Sequence, residues 1–86
     1  MSRRDTAQGR KNVSPEVAFG RVLRSIRKSK GLSQEELGAR SGYHRTYIGL
    51  LERGQKSPSL RTLFDLAATL SVPPSSIVQR VERSSR

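Results

Sequence analysis

Acid–base or metal chemistry in this chain of 86 residues would have to come from one histidine, His44, and seven carboxylates, because cysteine is absent. Catalysis needs such groups held in pairs within hydrogen-bond reach of each other. Most of the acids fall at expected helix ends, and Asp65, the exception, reads as a solvated surface carboxylate. A lone histidine cannot build a metal site, thiolate ligands are missing, and no glycine loop cradles a phosphate. No cofactor is implied, and the inventory is not that of an enzyme. What the chain has in excess is positive charge: 17 Lys and Arg against seven Asp and Glu, a formal net charge of +10. That excess raises self-repulsion and points to a polyphosphate partner.

Those cations have to be positioned by elements, and the elements are helical. Residues 1–13 are polar, basic and without period, and read as a disordered arm that could reach a minor groove. Order should begin at Ser14-Pro15-Glu16, a cap, a first-turn proline and an acid at the positive end of the dipole. Phe19, Val22, Leu23 and Ile26 then share one face, and Gly31 ends the helix. Ser33 and Glu36 form a capping box before a short helix that Gly42 stops. A third helix is expected over about residues 44–53, burying Ile48 and Leu51 and closed by Gly54. Leu60, Leu63, Ala67 and Leu70 mark a fourth. Pro73-Pro74 starts a fifth, with Ile77, Val78 and Val81 as its apolar positions. The ordered domain should span residues 14–82, with a frayed tail over 83–86. Strand alternation is absent, so the fold class is all-α, a single five-helix bundle.

Two short helices joined by a glycine-containing turn make a helix-turn-helix, whose second helix lies in the major groove of a duplex. That motif needs a small residue where the helices cross (Gly38), a residue of positive φ at the turn (Gly42), and apolar anchors beneath the second helix. Leu37, Ile48 and Leu51 supply the anchors.

The segments Leu32-Ser33-Gln34-Glu35-Glu36-Leu37, Ser41-Gly42-Tyr43-His44-Arg45-Thr46-Tyr47-Ile48 and Leu51-Glu52-Arg53-Gly54-Gln55-Lys56-Ser57-Pro58-Ser59-Leu60 closely resemble the phage-repressor-like (Cro/XRE) helix-turn-helix family. The likeness is greatest to its small stand-alone members, including controller proteins of restriction–modification systems, and covers about residues 17–80. It implies a lambda-repressor-like bundle and transcriptional regulation through double-stranded DNA. It further implies a homodimer on a palindromic operator and a cytoplasmic, nucleoid-associated location in a bacterial or phage setting. By position, the base-reading residues are His44, Arg45, Thr46 and Tyr47, with Leu50 one turn on. Arg45 suits a guanine, whose O6 and N7 its fork matches bidentately; His44 at the helix start also suits capping. Gln34, Arg53, Gln55, Lys56 and Ser57 are implied phosphate contacts. Arg27 is implied to pair with Glu52 and to turn towards a phosphate. Gly38 stands where the family usually has alanine, which implies a softer motif by about 1 kcal/mol.

Val78, Val81 and Phe64 are apolar positions left over once a core is filled. Clusters of that kind mark interfaces, and the family's last helix commonly makes the dimer contact; completing the monomer core is the other reading. The rival function is an antitoxin-like protein-interaction module on the same fold, which would show an apolar patch in place of Arg45, Thr46 and Tyr47. RNA binding would need a broader stacking platform than Tyr43 and Tyr47 provide. No apolar run approaches the ~18 residues of a membrane span, and no small-molecule pocket is expected in so short a domain.

Overall fold

The computed structural model describes residues 13–85. Five helices follow one another: α1 Pro15–Ser29, α2 Gln34–Ser41, α3 Arg45–Glu52, α4 Leu60–Leu70 and α5 Pro74–Ser84. No strand occurs among the described residues. The expected arm lies outside them except for Val13, which is half-buried and non-helical.

Local chemistry sets the helix starts. Ser14 Oγ accepts from the Val17 N–H at 3.1 Å, and Ser59 Oγ from the Thr62 N–H at 3.0 Å. The Ser33–Glu36 capping box is complete: the Glu36 N–H donates to Ser33 Oγ at 3.0 Å, and the Ser33 N–H to Glu36 Oε1 at 2.8 Å. That backbone hydrogen bond, and then the serine side chain, hold the Glu36 carboxyl below its usual pKa. The box therefore contributes stability above the ordinary glutamate range and loses it as pH falls through the lowered value. Gly31, Gly42 and Gly54 take positive φ at the helix ends, as the turns require. Ser71 closes α4 in the same left-handed region without being a glycine.

α1 packs against both α3 and α5, and α2 against α3 and α4. Between them lies one core of Phe19, Val22, Leu23, Ile26, Leu37, Ile48, Leu51, Leu66, Ala67, Leu70 and Ile77. Of the expected stripe of α4, Ala67 and Leu70 are buried as expected, and only Leu60 departs. Leu60 is 71% exposed and Leu63 only partly buried, while Leu66 and the polar Thr62 face inwards. Thr62 tolerates burial because its hydroxyl is hydrogen-bonded, to Ser59 Oγ at 3.0 Å and to the Tyr47 hydroxyl at 3.4 Å. The chain end also differs. α5 continues to Ser84 rather than fraying from residue 83, because the Ser85 N–H still bonds the Val81 carbonyl at 2.9 Å.

Gly38 is not a soft spot. A Cβ placed there would collide with the Tyr43 carbonyl oxygen across the α2–α3 turn. The N–H groups of Gly42 and Tyr43 both bond the Gly38 carbonyl at 2.9 Å, so the turn is drawn tight over that residue. Gly38→Ala would gain about 1 kcal/mol of helix propensity and lose about 1–3 kcal/mol to overpacking. We expect a net destabilisation in a denaturant titration; a stabilised variant would show that the turn opens freely.

Candidate nucleic-acid interface

Three short-range devices hold α3. His44 caps it, with Nδ1 accepting the Thr46 N–H at 3.0 Å. Leu37, Ile48 and Leu51 are fully buried between α2 and α3. Gly49, also buried, leaves room on α3 for the side chains of Gln34 and Arg53.

The C-terminal end of α3 is held by a charged cluster. Arg27 Nε donates to Glu52 Oε2 at 2.6 Å and Nη2 to Oε1 at 2.9 Å, while Nη1 donates to the Leu32 carbonyl at 2.8 Å. Gln34 Nε2 adds a bond to Glu52 Oε1 at 3.0 Å. The side chains of Arg27 and Glu52 are only 9% and 3% exposed. Hydrogen bonding to Glu52, against the opposing effect of burial, raises the Arg27 pKa further above its ordinary value. One ion pair thus joins α1, the start of α2 and the end of α3. The implied Arg27–Glu52 pair is present. The Arg27 guanidinium is enclosed, and its bonds go to Glu52 and to a carbonyl. Gln34 braces α3 from the α2 N-terminus.

On the open side of α3, Arg45 and Thr46 are exposed and Leu50 is half-buried. Arg45 Nη1 lies 4.0 Å from Glu35 Oε2, with both side chains mostly in solvent; such a contact is too weak to hold the arginine in place. Tyr47 departs from this exposed set. It packs against the core, its ring lies 5.4 Å from that of Tyr43, and its hydroxyl points to Thr62. Arg53 folds back with Nε donating to Gln55 Oε1 at 3.3 Å, and Lys56 and Ser57 are exposed beyond it.

Asp65 is not the solvated carboxylate expected from the sequence. Tyr43 donates its hydroxyl proton to Asp65 Oδ2 at 2.7 Å. The Thr62 hydroxyl by itself would lower the Tyr43 pKa; the bond to Asp65, burial and the charge of Asp65 outweigh it and raise the phenol. The turn residue before His44 is therefore tied to α4. Sequence reasoning also passed over Gly20, whose Cα sits against the carbonyls of Leu51 and Glu52. The available signal was a residue without a side chain next to Phe19 on the buried face of α1.

Of the three apolar positions left over in the sequence, Phe64 and Val78 are exposed by 52% and 51%, but Val81 is half-buried against the core. Leu60 joins the exposed pair instead. Leu60 and Val78 border a groove of about 270 Å³ between the α1 N-terminus, α4 and α5, floored by Phe19, Leu63 and Ile77; Phe64 lies outside it, beside Leu60 and Arg61. The described residues contain no cluster of three or more potential metal ligands and no helix long and apolar enough to cross a membrane.

Comparison with known proteins gives concordant matches. The helix-turn-helix family HTH_3 matches residues 23–77. The control protein C.SmaI of Serratia marcescens is 51% identical over 53 residues, 59% of this chain and 63% of that protein. The chain spans about three fifths of the length of the first curated relatives it matches. Among solved structures, the restriction–modification controller protein C.AhdI from Aeromonas hydrophila superposes with a TM-score of 0.70 at 46% identity, covering 71% of this chain and 92% of that one. The controller protein C.Esp1396I, solved as a tetramer in complex with its natural operator of 35 base pairs, gives a TM-score of 0.75 at 25% identity, covering 84% and 95%.

Proposed function

Since the chain belongs to the helix-turn-helix family of DNA-binding transcriptional regulators, which are not enzymes, we propose that it reads a palindromic operator as a homodimer with α3 in the major groove. The observation that carries this reading is the contrast between the two sides of α3. Its inner side is locked by the Arg27–Glu52–Gln34 cluster, whereas Arg45 and Thr46 project from the N-terminal turn with Arg53 and Lys56 beyond. A rigid helix with a polar, cationic open face suits base edges flanked by phosphates. A protein-docking surface would need an apolar patch there, and the large exposed apolar side chains lie on α4 and α5 instead. The operator complex of C.Esp1396I supports the same choice.

Arg45 is the leading base reader, Thr46 a second, and Leu50 an apolar contact at the groove wall. His44 caps α3 through Nδ1 and is exposed beside the readers. Tyr47 serves the interface through its ring, beneath the helix, rather than through a free hydroxyl. Lys56, Ser57, Gln55 and Arg53 form the phosphate clamp. Such a protein acts on the cytoplasmic nucleoid and requires no cofactor.

Two copies would pair through Leu60, Phe64 and Val78, setting their α3 helices about 34 Å apart on one side of the duplex. Phe64→Glu places a charge in that contact and should convert a dimer to monomer in sedimentation with little change in folding. A monomeric parent chain would overturn the assignment.

Selection of bound sites from random duplexes tests the whole reading, because it reports binding, symmetry and spacing together. With about six to ten phosphate contacts, affinity should fall by on the order of 10³–10⁵ between about 50 and 200 mM salt. Arg45→Ala should relax one base position per half-site at about 1–3 kcal/mol, while Lys56→Ala should weaken all sequences alike. Identical behaviour of the two variants would remove the division between readers and clamps.

A further inference from the structure

We propose that the outer flank of α1, Arg24 with Lys28 one turn on, is a second phosphate-binding row facing the same duplex. The inference rests on the DNA-binding reading above and extends it to an element outside the helix-turn-helix. Two contacts fix where this flank lies. Val17 packs directly on Gly54, the residue that leads into the Gln55–Lys56 clamp. Ten residues later, Arg27 grips Glu52 at the end of α3. Arg24 lies between these anchor points: seven residues after Val17, and so on the same side of the helix, and three before Arg27. It therefore leaves α1 beside the segment that carries Arg53, Gln55 and Lys56. Lys28 follows four residues later on the same flank, and both are exposed.

The charged side chains carried by this flank of α1 are cationic. The only acid of α1 is Glu16, in its first turn. Arg21 is exposed one turn before Arg24, and on the far side Arg80 of α5 reaches Ser25 with Nη2 at 3.3 Å. The neighbouring segment after α3 contributes Arg53 and Lys56, and Gln34 at the start of α2 is neutral. Glu52, at the end of α3, is enclosed and already paired with Arg27 and Gln34. A row of cations that repel one another is stabilised when a polyanion runs along it, and a duplex backbone is such a polyanion. Arginine's fork suits a phosphate bidentately, while lysine acts as a point charge.

The test uses the full chain and a duplex carrying its selected site. Arg24→Gln, Lys28→Gln and the double variant keep a good helix former at exposed positions. Arg83→Gln, on the exposed part of α5, removes one charge elsewhere. Affinity is measured across salt, and base preference by competition with altered sites. Each substitution on α1 should lower the slope of log affinity against log salt by about one, and the double variant by about two. Base preference should stay at that of the parent, and Arg83→Gln should keep the parental slope. A parental slope in the double variant would overturn the proposal, including the case in which α1 binds an acidic protein instead. An equal fall in Arg83→Gln would reduce it to a net-charge effect. A parent chain that showed no salt-dependent duplex binding would instead overturn the DNA-binding reading itself.

Discussion

Glu52→Ala is expected to cost about 3–5 kcal/mol, the usual penalty for removing one partner of a buried ion pair. The loss should be that large because the substitution strands two groups. The Arg27 guanidinium would remain enclosed with only the Leu32 carbonyl as a partner, and the Gln34 amide would lose its acceptor. A domain of this size has about 5–15 kcal/mol of stability in all, so the melting temperature should drop by on the order of 15–30 °C. A double variant, Arg27→Met with Glu52→Leu, removes both charges and should recover most of the loss, since apolar replacements of buried pairs are often neutral or stabilising. It should not recover duplex affinity to the same extent, because the α1–α3 and α2–α3 bonds that aim the recognition helix would be gone. If Glu52→Ala cost less than about 1 kcal/mol, the pair would be behaving as an exposed one.

Gly20→Ala is expected to be the second most damaging single change, although it adds only one methyl group. The new Cβ would lie 2.5 Å from the carbonyl oxygens of both Leu51 and Glu52. Those atoms belong to backbone, so relief can come only by moving α1 away from α3. Alanine's better helix propensity returns about 1 kcal/mol, against an overpacking cost at or above the upper end of about 1–3 kcal/mol. We expect a net loss of about 2 kcal/mol or more. Duplex affinity should fall with it, since displacing α1 also stretches the Arg27–Glu52 bonds. Denaturant titration with a parallel binding curve measures both. Unchanged stability would mean that the two helices can part without penalty.

These two residues show which features could be read from the chain and which could not. Caps and turns are local agreements between residues two to four positions apart. The Ser33–Glu36 box, the proline that opens α1 and the positive-φ glycines at 42 and 54 were therefore legible directly. The start of α4 was not, although Leu63, Ala67 and Leu70 pack in or on the core as expected. Its sequence carries Leu60, Leu63, Phe64, Leu66 and Leu70, and several stripes are equally apolar. The choice falls to Thr62, whose burial depends on Tyr47, a residue of another element. Asp65 was misjudged for the same reason, and the pairing of Arg27 with Glu52 came from the motif while the depth of its enclosure did not. The tyrosine that engages Asp65 is 22 positions away, and the enclosure of Arg27 depends on how Leu32, Gln34 and Glu52 close over it. Gly20 was silent because what it accommodates is backbone, which has no signature in side-chain pattern. The open face of α3 was legible through the motif, apart from Tyr47, whose ring turns inwards to a partner that only the folded chain supplies.

The hydroxyl and carboxylate of α4 have a mechanical consequence. Thr62 and Asp65 reach Tyr47 and Tyr43 on one side of that helix, while Leu60 and Phe64 protrude from the other. A small rotation of α4, forced by a neighbour pressing on its apolar side, should be transmitted within a single turn to the pair of rings under α3. α4 is then a lever with one arm in each region. Under the proposed pairing through that apolar side, loosening the contact should alter not only how many copies share a duplex but also the pitch at which each offers Arg45.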